Sequence, residues 1–134
     1  MAVVDARGLP LGLSLHSANP AEVRLVHEAF KTIPWQIRPF IRYLIGDKAY
    51  DSDALAWELG ERYWITLVAP HRKNRKVKTR DGRTLRRCKR RWPVERFFAW
   101  LDCFRRLVTR WEYHDHNYLG FLQLASCVIL LRRF

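Results

Sequence analysis

Between residues 2 and 70 the sequence alternates between short apolar runs and amphipathic segments that carry helix-capping signals. These segments predict a β-hairpin at 2–15, a helix at 19–31, a strand at 41–47, a helix at 52–62 and a strand at 64–70. Strands that alternate with helices at this spacing form βαβ units, in which the strands run parallel within one sheet. An α/β fold with a parallel portion of sheet is therefore expected.

The stretch from Arg90 to Leu101 predicts the beginning of a long amphipathic helix that ends near residue 113. Apolar residues recur there at three- and four-residue spacing and form one face, composed of Val94, Phe97, Phe98, Leu101, Phe104 and Val108. A second helix is expected at 117–132. Its apolar run from Leu119 to Leu131 is too short to span a bilayer and is interpreted as a buried helix.

Positive charge is concentrated in one part of the chain, which has a formal net charge of +12. Residues 72–91, the basic run, contain twelve Lys or Arg residues and one acid, whereas the first 71 residues are close to neutral. The run has no apolar periodicity, so 71–89 is expected to be an exposed basic loop. An anionic partner is implied, with double-stranded DNA as the first candidate and a membrane surface disfavoured. The expected phosphate contacts are Arg72, Lys73, Arg75, Lys76, Arg86, Arg87, Arg90 and Arg91.

The three cysteines are widely spaced and odd in number. Neither a disulfide framework nor a zinc site follows from that pattern, and a reducing, cytoplasmic compartment is the simple expectation. The N-terminus lacks the basic and apolar regions of a signal peptide.

Two carboxylates from distant elements, Asp47 and Glu95, are the candidate ligands for a divalent metal. Asp47 follows Gly46 at the end of a predicted buried strand, where α/β sheets bind ligands, and Glu95 lies off the apolar face of its helix. Other interpretations remain open. Asp47 could form a turn, Glu95 could pair with Arg91 on a solvated helix face, and Asp51 and Asp53 could simply cap the following helix.

Taken together, the motifs resemble those of bacterial insertion-sequence transposases of the DDE class. The resemblance runs collinearly over nearly all 134 residues. It rests on Val4–Gly12, Gly46–Asp53, Pro70–Asn74, Arg90–Arg96, Phe104–Leu107 and Arg110–Tyr113.

The resemblance implies a ribonuclease-H-like mixed sheet flanked by helices, and a triad of two Asp and one Glu that binds two Mg²⁺ or Mn²⁺ ions. These ions would activate water, and then a DNA 3′-hydroxyl, for attack on phosphodiesters at the ends of the element. Asp47 matches the second acid of the triad and Glu95 the third, while Arg91 matches an arginine that contacts phosphate. Homo-oligomers on DNA, located in the cytoplasm with the nucleoid, are implied as well.

Two departures from the family pattern qualify this expectation. The first Asp of the triad would lie upstream of Val4, and Asp5 does not match it, so the chain is expected to be a partial catalytic domain that lacks the first strand. In addition, Cys88 stands at a position where a Tyr is often found, and Asp102 where a Lys is often found. Two alternatives to an active enzyme follow: one half of a frameshifted split transposase, or a non-catalytic remnant that still binds DNA.

Overall fold

The computed structural model describes residues 1–17, 21–76, 86–90 and 92–133. Its strands are β1 (Ala2–Val4), β2 (Pro10–Leu13), β3 (Tyr43–Ile45) and β4 (Thr66–Val68). Its helices are α1 (Glu22–Lys31), α2 (Asp53–Tyr63), α3 (Trp92–Asp102), α4 (Arg105–Val108) and α5 (Asp115–Leu131). The predicted α/β fold is confirmed. Within the described ranges, no helix combines the length and the apolarity that crossing a bilayer requires.

The chain divides into two compact units. The first contains Met1–Pro20, His27–Ile33 and Trp92–Phe134, and the second contains Ala21–Val26 and Pro34–Arg91. Helix α1 contributes residues to both. The first two residues of the helix predicted at 19–31, Asn19 and Pro20, lie outside the described residues.

The first unit begins with the predicted hairpin, in which β1 and β2 are antiparallel and Ala2 is opposite Leu13. The turn forms because Asp5 Oδ1 accepts hydrogen bonds of 2.8 Å from the backbone N–H groups of both Arg7 and Leu9. Gly8 completes it at φ +84°, a backbone region that glycine occupies without steric cost. Asp5 is thus a turn residue.

Three helices pack on this hairpin around one core. The buried core residues are Phe97, Leu101, Leu107, Ala125 and Ile129. Ala2, Val4 and Leu13 of the hairpin pack against them. The first unit is therefore a hairpin covered by α3, α4 and α5.

The single long helix predicted for 90–113 is wrong. Helix α3 ends at Asp102, and Phe104 has an extended backbone before α4 begins. The break redirects the chain so that Leu107, rather than Val108, enters the core, and Val108 is 62% exposed. Phe98 is also exposed, because the buried face of α3 is Pro93, Phe97 and Leu101.

The second C-terminal helix is present, but the prediction that it is buried is wrong. Helix α5 buries only Ala125, Ser126 and Ile129. Leu124 and Leu131 are 62% and 76% exposed. The core of the described residues therefore covers only part of the apolar run in α5, and other apolar side chains of this helix are exposed.

The second unit contains the predicted βαβ arrangement. Strands β3 and β4 are parallel, with Leu44 opposite Leu67, and α2 connects them. Ser52 caps α2 by accepting a hydrogen bond from the Leu55 N–H at 3.3 Å. Leu55 and Leu59 bury the inner face of the helix.

Within the described residues the strands pair as two two-stranded sheets, β1 with β2 and β3 with β4. Two expectations for this unit are corrected. Strand β3 is not buried: Tyr43 and Ile45 are 42% and 37% exposed, because β4 is its one hydrogen-bonded neighbour in the described part of the chain. The basic run is not a loop throughout, since Arg86–Arg90 form a 3-10 helix with Cys88 buried.

Candidate functional site

Asp47 lies directly beyond the C-terminal end of β3, as predicted. Its side chain caps a short 3-10 helix, Lys48–Tyr50: Oδ1 accepts a 2.8 Å hydrogen bond from the Ala49 N–H. The Gly46 N–H donates to the Val68 carbonyl at 3.0 Å, which continues the ladder between the parallel strands to this point. The half-buried Asp47 carboxylate is thus fixed in orientation at the strand end.

Tyr50 packs beneath this strand end. A Cβ on Gly46 would lie 2.8 Å from the Tyr50 ring, so only glycine lets the ring approach so closely. Burial, followed by a hydrogen bond to Glu22 and the negative charges of Glu22 and Asp47, raises the pKa of Tyr50 well above its usual value. Tyr50 is therefore a neutral hydrogen-bond donor that connects the start of α1 to the Asp47 segment.

The most highly connected carboxylate in the second unit is Asp51, whose side chain is only 2% exposed. Oδ1 binds His71 Nδ1 at 3.1 Å and accepts from Arg75 Nη1 at 2.9 Å. Oδ2 accepts from the backbone N–H of Arg72 at 2.9 Å. Arg75 Nη2 also binds both carboxylate oxygens of Asp53, at 2.6 and 2.7 Å.

These contacts keep Asp51 ionised. Burial alone would raise the pKa of its carboxyl group, but hydrogen bonds from the Arg72 N–H and His71, together with the charge of Arg75, outweigh burial and lower the pKa below its usual value. Hydrogen bonds to Asp53, opposed in part by desolvation, raise the pKa of Arg75. A buried carboxylate and a guanidinium therefore compensate each other here, and neither Asp51 nor Asp53 acts only as a helix cap.

The predicted phosphate contacts differ in their surroundings. Residues 71–76, hereafter the clamped segment, include two exposed lysines, Lys73 and Lys76. Arg72 is exposed but donates from Nη2 to the Ala49 carbonyl at 2.8 Å and from Nε to the Lys48 carbonyl at 3.3 Å. Arg75 is only 16% exposed and its charge is already paired with Asp51 and Asp53.

The rest of the basic run is described only in part. Arg86 is exposed, and the Arg87 guanidinium stacks over the Tyr43 ring at 3.8 Å. Tyr43 is the first residue of β3, and Asp47 lies shortly after the last residue of the same strand. Along the chain the two are therefore separated by about four residues at ~3.3 Å each. The Arg90 side chain and all of Arg91 lie outside the described residues.

Glu95 is exposed in the first turn of α3, in the first unit. The hairpin turn packs against the start of this helix: a Cβ on Gly8 would lie 2.9 Å from the Pro93 carbonyl oxygen, and Arg96 Nη1 donates to the Arg7 carbonyl at 3.3 Å. The Arg96 guanidinium also stacks on the Trp92 ring at 3.4 Å. The helix turn that carries Glu95 is thereby held on the hairpin.

The arginine-rich motif that follows α3 forms an ion-pair cluster in the same unit. Arg106 Nε donates to Glu112 Oε1 at 3.0 Å, and Glu112 Oε2 accepts from the Trp111 N–H. The hydrogen bond from Arg106 lowers the pKa of Glu112. Arg110 binds the Glu112 carbonyl at 3.1 Å and the Asp115 carboxylate. These residues fix the connection between α4 and α5.

With this geometry established, comparison with known proteins identifies the family. A family model described as a transposase DDE domain matches residues 1–130. The chain belongs to the transposase DDE domain family. It is 34% identical over 134 residues to a protein described as a transposase for insertion sequence element IS402 of Burkholderia cepacia, covering 95% of this chain and 59% of that protein.

A second relative is a protein described as a transposase for insertion sequence element IS6501 of Brucella ovis. It is 31% identical over 134 residues, covering 98% of this chain and 95% of that protein. No solved structure matches the chain. The transposase domain thus spans about three fifths of one relative and nearly all of the other.

Proteins of this family generally use a divalent metal ion, and Asp47 and Glu95 are its two predicted ligands. The transposase domain offers carboxylate oxygens, the ligands that Mg²⁺ and Mn²⁺ prefer, on Asp47 and on Glu95. Asp47 belongs to the second unit and Glu95 to the first. In the described ranges, no three His, Cys, Asp or Glu side chains form a group that could hold a metal ion. The donor chemistry at both positions fits the ion.

Sequence reasoning missed the contacts that Asp51 makes with the clamped segment. The partners of Asp51 lie 20 to 24 residues away in a segment without periodicity, so spacing gave no signal. The available signal was the resemblance itself, which includes both Gly46–Asp53 and Pro70–Asn74. The structure shows that these two motifs are in contact through Asp51 and Arg72.

Proposed function

We propose that this transposase domain carries out metal-dependent cleavage and strand transfer of DNA at the ends of an insertion sequence, on a ribonuclease-H-like fold. The observation that carries the proposal is the position of Asp47. Its carboxylate is fixed at the C-terminal end of a parallel strand and caps the short 3-10 helix to which Arg72 of the clamped segment is hydrogen-bonded. A carboxylate attached to the same short helix as a cationic segment suits a metal ion and a phosphate together.

In this proposal Asp47 and Glu95 supply carboxylate ligands to Mg²⁺ or Mn²⁺. The ion, when bound, would activate the attacking hydroxyl group and stabilise the negative charge that develops on the phosphate. The protein's own part is positional. The Ala49 N–H fixes one oxygen of Asp47, and packing of the hairpin on the first turn of α3 fixes the backbone that carries Glu95.

The DNA duplex would be held by the cationic side chains of the basic run. Lys73, Lys76 and Arg86 are exposed and suited to direct phosphate contacts. Arg72, Arg87, Arg90 and Arg91 remain part of the proposed surface, and Arg75 supports it through its ion pairs. A homo-oligomer on DNA, working in the cytoplasm near the nucleoid, completes the proposal.

The test compares two substitutions on the same helix. Glu95→Gln and Asp102→Asn each remove one negative charge from an exposed side chain of α3. With Mn²⁺ and supercoiled plasmid DNA, Glu95→Gln is expected to abolish nicking, while its affinity for a labelled duplex stays close to that of the wild type. Asp102→Asn is expected to retain both plasmid nicking and affinity for the duplex. Equal nicking by the two variants would contradict the role assigned to Glu95.

A second candidate, a DNA-binding protein without catalysis, is favoured by the concentration of twelve cationic residues between 72 and 91. The same assay separates the two. Plasmid nicking by the wild type that depends on Glu95 supports the enzyme. Salt-dependent duplex binding with no nicking by any variant supports the DNA-binding protein.

A further inference from the structure

We infer that Asp51 is a positioning residue for DNA, which holds the clamped segment against the Asp47 strand end so that Lys73 and Lys76 face the phosphates. This inference rests on the proposed function and adds a residue to it. Asp51 is too buried to touch DNA itself, since its side chain is 2% exposed. It acts through the groups that it binds.

Asp51 holds the clamped segment at three points. One carboxylate binds a side chain at residue 71, a backbone N–H at residue 72 and a guanidinium at residue 75. Three contacts over five residues fix the path of a segment that has no regular secondary structure of its own. Lys73 lies between two of these contacts, and Lys76 directly follows the third.

The clamped segment is held at the short helix that Asp47 caps. Asp51 follows Asp47 by four residues, and the two flank the 3-10 helix Lys48–Tyr50. Arg72 binds the carbonyl groups of Lys48 and Ala49, while the Ala49 N–H binds Asp47. The clamped segment and the Asp47 carboxylate are thus attached to the same short helix.

Part of the positive charge of the clamped segment is neutralised within the protein. Arg75 directs its guanidinium to Asp51 and Asp53, so a cation in the most basic part of the chain is engaged in internal contacts. If the clamped segment bound DNA only through its positive charge, the carboxylates of Asp51 and Asp53 would weaken that binding. The arrangement makes sense when the position of the neighbouring lysines matters more than the total charge.

Positioning and simple attraction predict opposite results for Asp51→Asn. Removing a negative charge raises the net charge, so attraction alone predicts tighter binding to DNA. Positioning predicts weaker binding, because the asparagine cannot accept from all three donors and the lysines lose their fixed location. The matched control is Glu61→Gln, which removes an exposed acid from α2 of the same unit and is expected to bind slightly tighter.

The measurement is the affinity for a labelled mixed-sequence duplex as a function of salt, between about 50 and 200 mM. Each lost phosphate contact lowers the slope of log affinity against log salt by about 0.9 in magnitude. The Lys73→Ala, Lys76→Ala pair is expected to lower the slope by about 2 in the wild type and by less than about 0.5 in the Asp51→Asn background. Arg75→Lys keeps the positive charge but removes the two guanidinium nitrogens that bind Asp51 and Asp53. It is expected to have the same effect as Asp51→Asn.

A thermal melt excludes unfolding as the cause, and Tyr118→Phe, a substitution in the core of the first unit, should leave the slope unchanged. If the lysine pair lowers the slope equally with and without Asp51, the inference is wrong and the proposed DNA surface stands. If the lysine pair has no effect in the wild type, the DNA surface itself is wrong. If Asp51→Asn folds poorly, Arg75→Lys tests the same claim, and an unchanged effect of the lysine pair in that background would overturn it.

Discussion

The carbonyl oxygen of Pro93 lies 2.9 Å from the position that a Cβ atom on Gly8 would occupy. The hairpin turn and the start of α3 therefore pack backbone against backbone, although 85 residues separate them in the sequence. The adjacent hydrogen bond from Arg96 to the Arg7 carbonyl strengthens this contact. Two of the motifs that carry the family resemblance are therefore packed against each other, and Glu95 belongs to one of them.

Gly8→Ala should destabilise the first unit. The φ of +84° is strained for any residue with a Cβ, and the new atom would meet the Pro93 carbonyl, so a loss of about 1–3 kcal/mol is expected. Urea unfolding measures it. Gly60→Ala, in α2 with nothing within 4 Å of its added Cβ, should stabilise by about 0.5–1 kcal/mol. Equal effects of the two substitutions would contradict the packing at Gly8.

A tyrosine hydroxyl is expected to stabilise the junction of α4 and α5. Tyr118 donates to the Leu107 carbonyl at 2.9 Å from a partly buried position, so Tyr118→Phe should lose about 0.5–1.5 kcal/mol of unfolding free energy. Tyr113→Phe makes the same chemical change at a side chain that is 92% exposed and should cost nothing measurable. A neutral Tyr118→Phe in urea unfolding would show that the hydrogen bond does not form in solution.

Acid should destabilise the fold through Asp51. Its pKa is lower in the folded protein than the usual value of 3.8, so its contribution is complete above that value and is lost as pH falls below it. At neutral pH, Asp51→Asn is expected to cost about 1–3 kcal/mol, because buried donors lose a charged acceptor. Its unfolding free energy should then fall less than that of the wild type as the pH drops from about 5 to about 3. Parallel pH profiles for the two proteins would rule out this linkage.

Local sequence signals correctly predicted those elements whose patterns are short-range. The hairpin at 2–15 and the successive strand, helix and strand of the βαβ unit were predicted, because each element depends on a pattern of residues within a few positions of one another. The position of Asp47 after a strand followed from the same reasoning.

Features that depend on tertiary contacts were not predictable in this way. The apolar spacing continues through Phe104 to Val108, yet α3 ends at Asp102 because Leu107 packs in the core with Leu101 and Ala125. The contacts of Asp51 with the clamped segment likewise join two separate stretches of the sequence that share no periodic pattern of residues. The position of Asp47 after a strand was therefore predicted, but the contacts by which Asp51 holds the clamped segment were not.

The most direct test of the central claim is calorimetric titration of Mn²⁺ into the full chain at neutral pH. Asp47→Asn and Glu95→Gln are each compared with a charge-matched control in the same unit, Glu61→Gln and Asp102→Asn respectively. Loss of a ligand should weaken Mn²⁺ binding by more than about 10-fold in each test variant and leave both controls at the wild-type value. Wild-type Mn²⁺ affinity in Asp47→Asn or in Glu95→Gln would contradict the assignment of that residue as a metal ligand.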